Sequence, residues 1–486
     1  MSFVSDRSVY VVHDSGVSGY PREAPFHPGV RYPEYPFVEV SAAPNAAYDM
    51  VRRLFRDMDL DRDHFGQSSW NPLGKFIRPG HRVLVKPNLV ADHNWGEAQG
   101  NRDTDSLVTH ASVIRAVTDY VQKALQGRGE MIVGDCPVQG TDWQALLRMT
   151  GLDKVGEFYR SRGVSLQLRD FRLVTARIDR RGILSVSSQN AAGRYVEADL
   201  ATDSLLMPIM ADAARFGVTD YHVRNMRRVH SLRRNAYLMF REAFEADCVI
   251  NLPKLKFHMK AGMTGALKNL VGLNGHKDYL PHFRMGIDEY PPTSNVLFKL
   301  FIALQHLQWR SGSLVARRAL GLLMSALRRG FGRDQEVSSQ GGWFGNDTLW
   351  RTILDINRAF FYFDLATERL GDEPRRESLI VMDAIVAGDG ESPLAPSRRP
   401  AHSLLGGLNP VAVDAAGASL LRLDISRLKQ ITGALGLARL PLAEFSLADV
   451  GVHEGGRSRG FHEWESGGPS YPAVPSVGWR GHVERA

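Results

Sequence analysis

The chain has 486 residues, of which 43% are hydrophobic and 23% are charged. These fractions are close to the averages of globular proteins, and they exclude a largely disordered chain. Sixty Lys and Arg residues against 53 Asp and Glu residues leave a formal charge of +7, a mild excess that favours anionic partners weakly and does not predict nucleic-acid binding.

The cysteines and the apolar runs restrict the protein further. Cys136 and Cys248 each lie in an apolar strand-like run, and the chain has no C-x-x-C pair. A zinc site or iron–sulfur cluster built from the cysteines of this chain alone is therefore excluded. The first residues lack the pattern of a signal peptide, and no run of eighteen apolar residues occurs, so we expect a cytoplasmic protein without a transmembrane helix.

The order of strand-like and helix-like patterns predicts an α/β fold of two lobes, built from parallel-sheet, Rossmann-like units with two insertions. The length of the chain also favours more than one core. We predict seven segments: an N-terminal arm and helix (1–80), a first α/β lobe (81–162), a β-containing insertion (163–245), a site-bearing strand–helix segment (246–292), a basic amphipathic helical insertion (293–340), a second α/β lobe (341–455) and a loosely ordered tail (456–486).

The first lobe begins with the apolar strand RVLVKPNLV (82–90), and a helix leads from it to the strand EMIVGD (130–135). This order indicates a parallel unit, whose functional groups are expected where the strands end. Lys86, Asn88 and Asp135 lie at these ends and are candidates for contacts to an anionic ligand. The alternative is an ordinary loop and a plain turn.

The segment Asn251–His282 concentrates lysines, histidines and glycines behind another apolar strand. Lys254 and Lys256 alternate with Leu255, so both lysines point to one side of an extended chain. A helix is predicted to begin near Gly262. A helix N-terminus presents unpaired N–H groups and a positive dipole end, which suit a phosphate or a carboxylate.

Three side chains around this helix start are candidates for binding and catalysis. Thr264 and Lys268 share one face of the predicted helix, and Lys268 can reach an anion at the helix N-terminus. His258 follows the strand and is a candidate for general acid–base catalysis. The alternative is a basic face in solvent with incidental histidines.

The remaining histidines and lysines of this segment receive weaker assignments. His276 and His282 are candidates for metal ligands, although histidines alone need a convergence that spacing does not show. Lys260 and Lys277 are assigned to solvent.

The second α/β series begins with the strand ESLIVMDAIVAGDG (377–390), which we expect to end in a glycine-rich turn that brings Asp389 near a ligand. A helix follows in NPVAVDAAGASLLRL (409–423). Asp414 lies within that helix among small residues, and we expect it to pair with one of the lysines; the alternative is a role in catalysis.

Residues 295–333 combine long apolar stripes with clustered arginines. Basic amphipathic helices of this kind lie on anionic membrane surfaces. The alternative is a helical hairpin that packs on the core and keeps its arginines in solvent. Both readings stay open from the sequence.

Five motifs in this order carry a resemblance to a family: VLVKPNLV, THASVIRAVTDYV, ADCVINLPKLKFHMKAGMTGALKNLVGL, DAIVAGDGESP and GGLNPVAVDAAGA. Over roughly residues 82–423 the chain resembles the domain-of-unknown-function 362 family. Some members of that family carry ferredoxin-type cysteine motifs, and this chain has none. The resemblance therefore implies no electron transfer through clusters of its own.

The order of residues in the segment Asn251–His282 also resembles, more distantly, the lactate racemase family, which uses a nickel-pincer nucleotide. This resemblance implies that His258 is a proton-transfer base, that Lys268 anchors the cofactor or an anion, and that His276 or His282 is a metal ligand. His110 is matched to the second catalytic histidine of that family. The sequence around these residues differs from the family pattern.

Three functions are compatible with these patterns. The leading hypothesis is an isomerase, epimerase or lyase that binds an anionic small molecule, with an unknown cofactor or with a divalent metal or nickel-pincer-like nucleotide. The second is a non-catalytic accessory or binding protein, peripheral to the inner face of a membrane through residues 295–333. The third is a metal- or iron–sulfur-dependent redox enzyme whose partner supplies ligands. A homo-oligomer is compatible with each hypothesis.

Overall fold

A computed structural model of the protein describes residues 2–178, 184–188, 193–218, 225–311 and 313–485. Its centre is a mixed, mostly parallel sheet in which eleven of the described strands take part. The α/β class expected from the sequence is thus confirmed. The two α/β series predicted as separate lobes instead place their strands side by side in this one sheet.

The strands are numbered in chain order. They are β1 (Ser8–His13), β2 (Arg82–Pro87), β3 (Glu130–Asp135), β4 (Leu166–Asp170), β5 (Val174–Ile178), β6 (Leu184–Ser188), β7 (Tyr195–Asp199), β8 (Phe216–Gly217), β9 (His230–Ser231), β10 (Arg234–Phe240), β11 (Cys248–Leu252), β12 (Lys254–His258), β13 (Gly262–Thr264), β14 (Phe283–Arg284), β15 (Phe363–Asp364), β16 (Arg369–Leu370), β17 (Ser378–Glu391), β18 (Ala395–Gly407), β19 (Gly451–Glu454) and β20 (Arg457–Gly460).

The α-helices are numbered in the same way. They are α1 (Ala46–Asp57), α2 (Ala111–Leu125), α3 (Trp143–Thr150), α4 (Leu152–Ser161), α5 (Met226–Val229), α6 (Glu242–Glu245), α7 (Ala266–Asn269), α8 (Val296–Arg310), α9 (Leu314–Leu327), α10 (Arg333–Val337), α11 (Leu349–Tyr362), α12 (Pro410–Leu420), α13 (Lys429–Leu435) and α14 (Phe461–Gly467).

The order of strands in the large sheet is β20-β19-β1-β18-β17-β11-β2-β3-β4, with β12 beside the far part of β17 and β13 beside β12. Strands β2, β3 and β11 are parallel neighbours and almost fully buried. One hydrophobic core includes α1 and α2, and the other includes α11 and α12. This arrangement brings the carboxyl ends of β2, β3 and β11 to one edge of the sheet, where ligand sites of such folds are found.

The strand β17 differs from the expected strand and turn. It runs through Gly388 to Glu391 and stays paired with β18 over this length. A Cβ atom on Gly388 would lie 2.9 Å from the carbonyl oxygen of Ser106 and 3.0 Å from the Cβ of Lys256. The glycine therefore permits close packing between β17, β12 and the loop before α2, and it does not form a turn.

The C-terminal segment is packed against the rest of the chain and is not the loosely ordered tail expected from its composition. Strand β20 pairs with β19, and α14 follows it directly. The indole of Trp479 is buried, and its Nε1 donates a hydrogen bond of 2.6 Å to the carbonyl oxygen of Met259. The ring packs edge-on against Phe257, so the C-terminal segment covers the strand that carries the candidate site.

The helices α8 and α9 pack against each other as a hairpin with a small hydrophobic cluster of its own. Phe298, Phe301, Ile302 and Met324 form this cluster, separate from the two cores of the sheet. The structure describes neither Gly312 nor the side chain of Arg310. Over the described residues, no helix is long and apolar enough to span a membrane.

Candidate functional site

A group of lysine and histidine side chains, largely buried, lies at the carboxyl edge of the parallel strands. We call it the lysine–histidine cluster; its members are Lys256, His258, Lys260, Lys268 and His282. Strand β12 positions the first two members, because alternate residues of a strand face the same side. Two ion pairs, one formed by Lys86 and one by Lys254, flank the cluster.

The first flanking pair joins β2 to β3. The Nζ of Lys86 lies 2.7 Å from the Oδ1 of Asp135, and both side chains are buried. Burial lowers the pKa of Lys86, and the negative charge of Asp135 opposes that change. A Cβ atom on Gly272 would lie 2.0 Å from the Oδ1 of Asp135, so only glycine leaves room for this pair. Lys86 and Asp135 thus neutralise each other's charge.

The second flanking pair includes residues from distant parts of the chain. The Nζ of Lys254 lies 3.0 Å from Asp383 and donates a hydrogen bond of 2.7 Å to the hydroxyl of Tyr20. The hydroxyl of Tyr20 in turn donates to Asp383 over 2.5 Å. Tyr20 belongs to the proline-rich arm near the N-terminus, and no sequence pattern singled it out.

His110 lies beside this second pair. Its ring stacks on Tyr20 with 4.1 Å between ring centroids, and its backbone N–H donates to Asp383. Its Nδ1 accepts a hydrogen bond from the backbone N–H of Ser112, so the imidazole caps helix α2. Burial lowers the pKa of His110 to about 3, so the ring is neutral near pH 7. This geometry gives His110 a structural role beside Lys254.

Lys256 is buried, and no carboxylate of the described residues forms an ion pair with it. Its Nζ donates hydrogen bonds to the carbonyl oxygens of Leu107, at 2.6 Å, and Pro393, at 3.1 Å. Burial lowers its pKa well below the usual value, and the positive charges of Lys254 and Lys268 lower it further. An anion placed nearby would relieve this repulsion.

Lys268 differs from Lys256 in its exposure and in the surroundings of its ammonium group. Its side chain is partly exposed, and among the described residues no hydrogen-bond acceptor or ion-pair partner contacts its Nζ. Burial lowers its pKa to about 8, and Lys277 lowers it further, whereas Asp135 acts in the opposite direction. An ammonium group in this position is open to an external anion.

The two histidines of the cluster hold their protons on different ring nitrogens. The Nδ1 of His258 accepts backbone N–H groups of Lys260 and Ala261 at 3.1 and 3.2 Å, so a neutral ring carries its proton on Nε2. The Nδ1 of His282 lies 2.7 Å from the carbonyl oxygen of Leu280 and must donate to it, so Nε2 keeps a lone pair. Burial and the neighbouring lysines lower both pKa values well below the usual range.

Lys260 was assigned to solvent from the sequence, but its side chain is buried. Its Nζ lies 5.8 Å from the ring centroid of Phe283, and its charge lowers the pKa of His258 and of His282. Two other candidate residues from the sequence each have a buried polar atom, the Oγ1 of Thr264 and the Oδ1 of Asn88, with no hydrogen-bond partner among the described residues. Such atoms are rare in folded proteins and are open to a ligand or water.

The helix after β12 differs from the predicted one. Residues 262–264 form β13, so Thr264 lies in a strand, and α7 begins at Ala266. The carboxylate of Asp414 already accepts the backbone N–H groups of Ala266 and Leu267, at 2.5 and 3.1 Å. This N-terminus is therefore occupied from within the protein, and Asp414 forms no ion pair with a lysine of the described residues. Burial raises the pKa of Asp414 to about 7.

Two further predicted contacts have partners inside the protein. Asp389 pairs with Arg399 at 2.8 Å and accepts the backbone N–H of Val474. The Nδ1 of His276 accepts the backbone N–H of Asp278 and caps a short helical turn. Within the described part of the chain, no group of three or more His, Cys, Asp and Glu side chains is arranged for a metal ion. The predicted pair of metal ligands, His276 and His282, gains no support.

This α/β protein has a largely buried cluster of lysines and histidines at the carboxyl edge of its parallel strands. Two buried ion pairs lie beside the cluster. Residues 83–201 and 205–419 match the family described as Domain of unknown function (DUF362), and the chain belongs to this family. The chain is also 30% identical over 208 residues to a thylakoid-associated protein from Synechocystis sp.. That match covers 41% of this chain and 41% of the relative. Neither match supports the resemblance to lactate racemase.

Proposed function

We propose that the lysine–histidine cluster binds an anionic small molecule, a carboxylate or a phosphate, and that the protein catalyses a proton transfer on it. One observation carries this proposal: the ammonium group of Lys268 is partly accessible and has no ion-pair partner among the described residues, although it lies among buried cations. Buried charge without a partner is costly, so such an arrangement is typical of a site completed by its ligand.

The binding role falls to Lys268 and Lys256. Lys268 supplies an accessible positive charge, and the buried side chain of Lys256 lies close enough to interact with it electrostatically. Lys86 and Lys254, which the sequence also suggested as anion contacts, serve instead to hold the edge of the sheet in place through Asp135 and Asp383. The proposed site is therefore smaller than the one expected from the sequence.

The proton-transfer roles follow from the hydrogen bonds of the two histidines. The Nε2 of His282 keeps a lone pair and is the candidate general base. The Nε2 of His258 carries a proton and is the candidate acid or hydrogen-bond donor. An acceptor and a donor close to a bound carboxylate suit an isomerase, an epimerase or a lyase. This assignment reverses the role expected for His258 from the sequence.

Nuclear magnetic resonance in D2O tests both steps. Short hydroxy- and oxo-carboxylates and inorganic phosphate are titrated into the protein, and exchange of a carbon-bound proton for deuterium is followed. Lys268→Met is expected to weaken binding tenfold or more, since a hydrogen bond to a charged group contributes about 1.5–3 kcal/mol. His282→Gln is expected to keep binding and to lose exchange.

Lys75→Met is the matched control, because Lys75 is an exposed lysine outside the cluster. It is expected to bind and exchange like the unaltered protein. Equal affinities in Lys268→Met and Lys75→Met would rule out the anion site. Exchange that survives in His282→Gln would rule out His282 as the base while leaving the anion site intact.

A second candidate function is that of an accessory protein at a membrane surface, either alongside catalysis or without it. The name of the thylakoid-associated relative agrees with such a location, over the part of the relative that matches. The exposed hairpin of α8 and α9 is the feature of this chain that favours it. Recovery of the protein in a washed membrane fraction, and its release by high salt, are the expected results; a protein found entirely in the supernatant would contradict this location.

A further inference from the structure

The positive charge of the chain is concentrated in one surface segment. Residues 295–333 contain seven Lys and Arg residues and no Asp or Glu, whereas the rest of the chain has 53 residues of each sign. The whole formal excess of +7 therefore belongs to this segment. A segment that contains only positive charges attracts an extended anionic surface.

The hairpin of α8 and α9 also exposes large apolar side chains. Val296, Leu300 and Leu307 are spaced on one face of α8, and Val315 and Leu322 on one face of α9. Val296, Val315 and Leu322 are 74%, 78% and 76% exposed. The hairpin is held together by its own small cluster, so these side chains are not needed for its packing. Exposed apolar groups at this density indicate an interaction surface.

Cations lie among these apolar side chains. Lys299 falls on the exposed face of α8, and Arg318 falls between Val315 and Leu322 on α9. Long basic side chains lay their stems along apolar surface and extend their charges to lipid headgroups. This mixture of apolar and basic groups is that of helices that lie in the plane of a membrane interface.

We infer that the hairpin of α8 and α9 is a docking surface for a bilayer that contains anionic lipids. The inference rests on the proposed membrane location and adds the surface and the lipid chemistry. A second copy of the chain is disfavoured as the occupant, because it would place two segments of charge +7 against each other. Nucleic acid would use the arginines but leave the exposed leucines and valines without a role.

The experiment is co-sedimentation of the full chain with phosphatidylcholine vesicles, with and without phosphatidylglycerol. The unaltered protein is expected to bind the anionic vesicles at least tenfold more tightly than the neutral ones. The hairpin variant carries Gln at Lys299, Arg317, Arg318 and Arg329. Each cation near an anionic membrane strengthens binding roughly fivefold, so this variant is expected to lose tenfold or more.

The matched control removes four exposed arginines outside the hairpin. It carries Gln at Arg22, Arg31, Arg128 and Arg457. It is expected to bind anionic vesicles within about threefold of the unaltered protein, because its substitutions leave the docking surface intact. A third variant, with Ser at Val315 and Leu322, is expected to bind more weakly at any salt concentration. Circular dichroism and thermal unfolding confirm that each variant is folded.

The outcomes separate the two proposals. Vesicle binding that survives in all three variants overturns the hairpin as the docking surface and leaves the membrane location standing. Equal losses in the hairpin variant and the matched control also overturn it. No binding to either vesicle overturns both proposals. Dimerisation through the hairpin overturns the inference in favour of a second copy of the chain. Tighter binding to a short DNA duplex than to vesicles overturns it in favour of nucleic acid.

Discussion

Two regions of the molecule concentrate positive charge: the lysine–histidine cluster and the hairpin of α8 and α9. In the cluster, burial holds the pKa values of Lys256 and Lys268 below their usual range. In the hairpin, Arg317 and Arg318 are exposed, and water and salt screen their charges. Positive charge thus destabilises the folded protein in the cluster and has little effect on stability in the hairpin. The cluster suits a small enclosed anion, whereas the hairpin suits an extended anionic surface.

The largest expected effect comes from adding one more unmatched charge to the buried region. Asp383→Asn removes the carboxylate beside Lys254, whose ammonium is fully buried. Breaking a buried ion pair at one partner costs about 3–5 kcal/mol of unfolding free energy. Urea unfolding measures this loss. The double variant Lys254→Met, Asp383→Leu is the control and should recover most of it; a single variant as stable as the unaltered protein would refute the buried pair.

A smaller effect, opposite in sign, is expected when an unmatched buried charge is removed. The pKa of Lys268 is about 8 in the folded protein against an ordinary 10.5. Below pH 8 Lys268 is charged in both the folded and the unfolded state, so burial of the ammonium destabilises the folded protein to its full extent. Between pH 8 and 10.5 the folded protein has lost this proton while the unfolded chain keeps it, so the destabilisation decreases as pH rises. Without a bound anion, Lys268→Met should therefore be about 1–2 kcal/mol more stable than the unaltered protein at pH 7.

The pKa of Lys268 also predicts how the stability difference between Lys268→Met and the unaltered protein changes with pH. It should shrink as pH rises from 8 to 10.5, and Lys75→Met should show no such trend. Thermal unfolding across this range, with anions excluded from the buffer, provides the measurement. An advantage that stays constant with pH would mean that Lys268 is not a strained charge.

The smallest effect is expected in the hairpin. Glutamine at Lys299, Arg317, Arg318 and Arg329 should change the unfolding free energy by less than about 0.5 kcal/mol, because exposed charges contribute little to stability. Urea unfolding at low and at moderate salt concentration checks this. A loss of several kcal/mol would show that these cations hold the hairpin to the body, and the contrast between the two regions would then fail.

Much of the fold follows from local patterns in the sequence. Apolar runs predicted β2, β3 and β11, and the regular spacing of Val113, Val117 and Val121 predicted α2. These elements depend on hydrophobic periodicity, which a short window contains. The placement of Lys86 and Lys256 at the carboxyl edge of the sheet followed from the same reasoning.

The contacts that decide the site could not be predicted in this way. Tyr20 is 234 residues from Lys254, and Asp414 is 147 residues from Leu267. Whether a lysine has a carboxylate partner, or a helix N-terminus is already occupied, depends on such distant contacts. The protons of His258 and His282 are likewise set by backbone groups whose positions need the folded chain.

The position of β1 has a consequence for the order of folding. This strand lies between β18 and β19, so both of its neighbours come from residues beyond 394. During synthesis β1 emerges first, and its pairing partners arrive almost four hundred residues later. The parallel strands β2, β3 and β11 can assemble before then, whereas β1 has neither of these partners until β18 and β19 have been made. We therefore expect the nascent chain to expose this apolar strand until that point, and to add it to the sheet late.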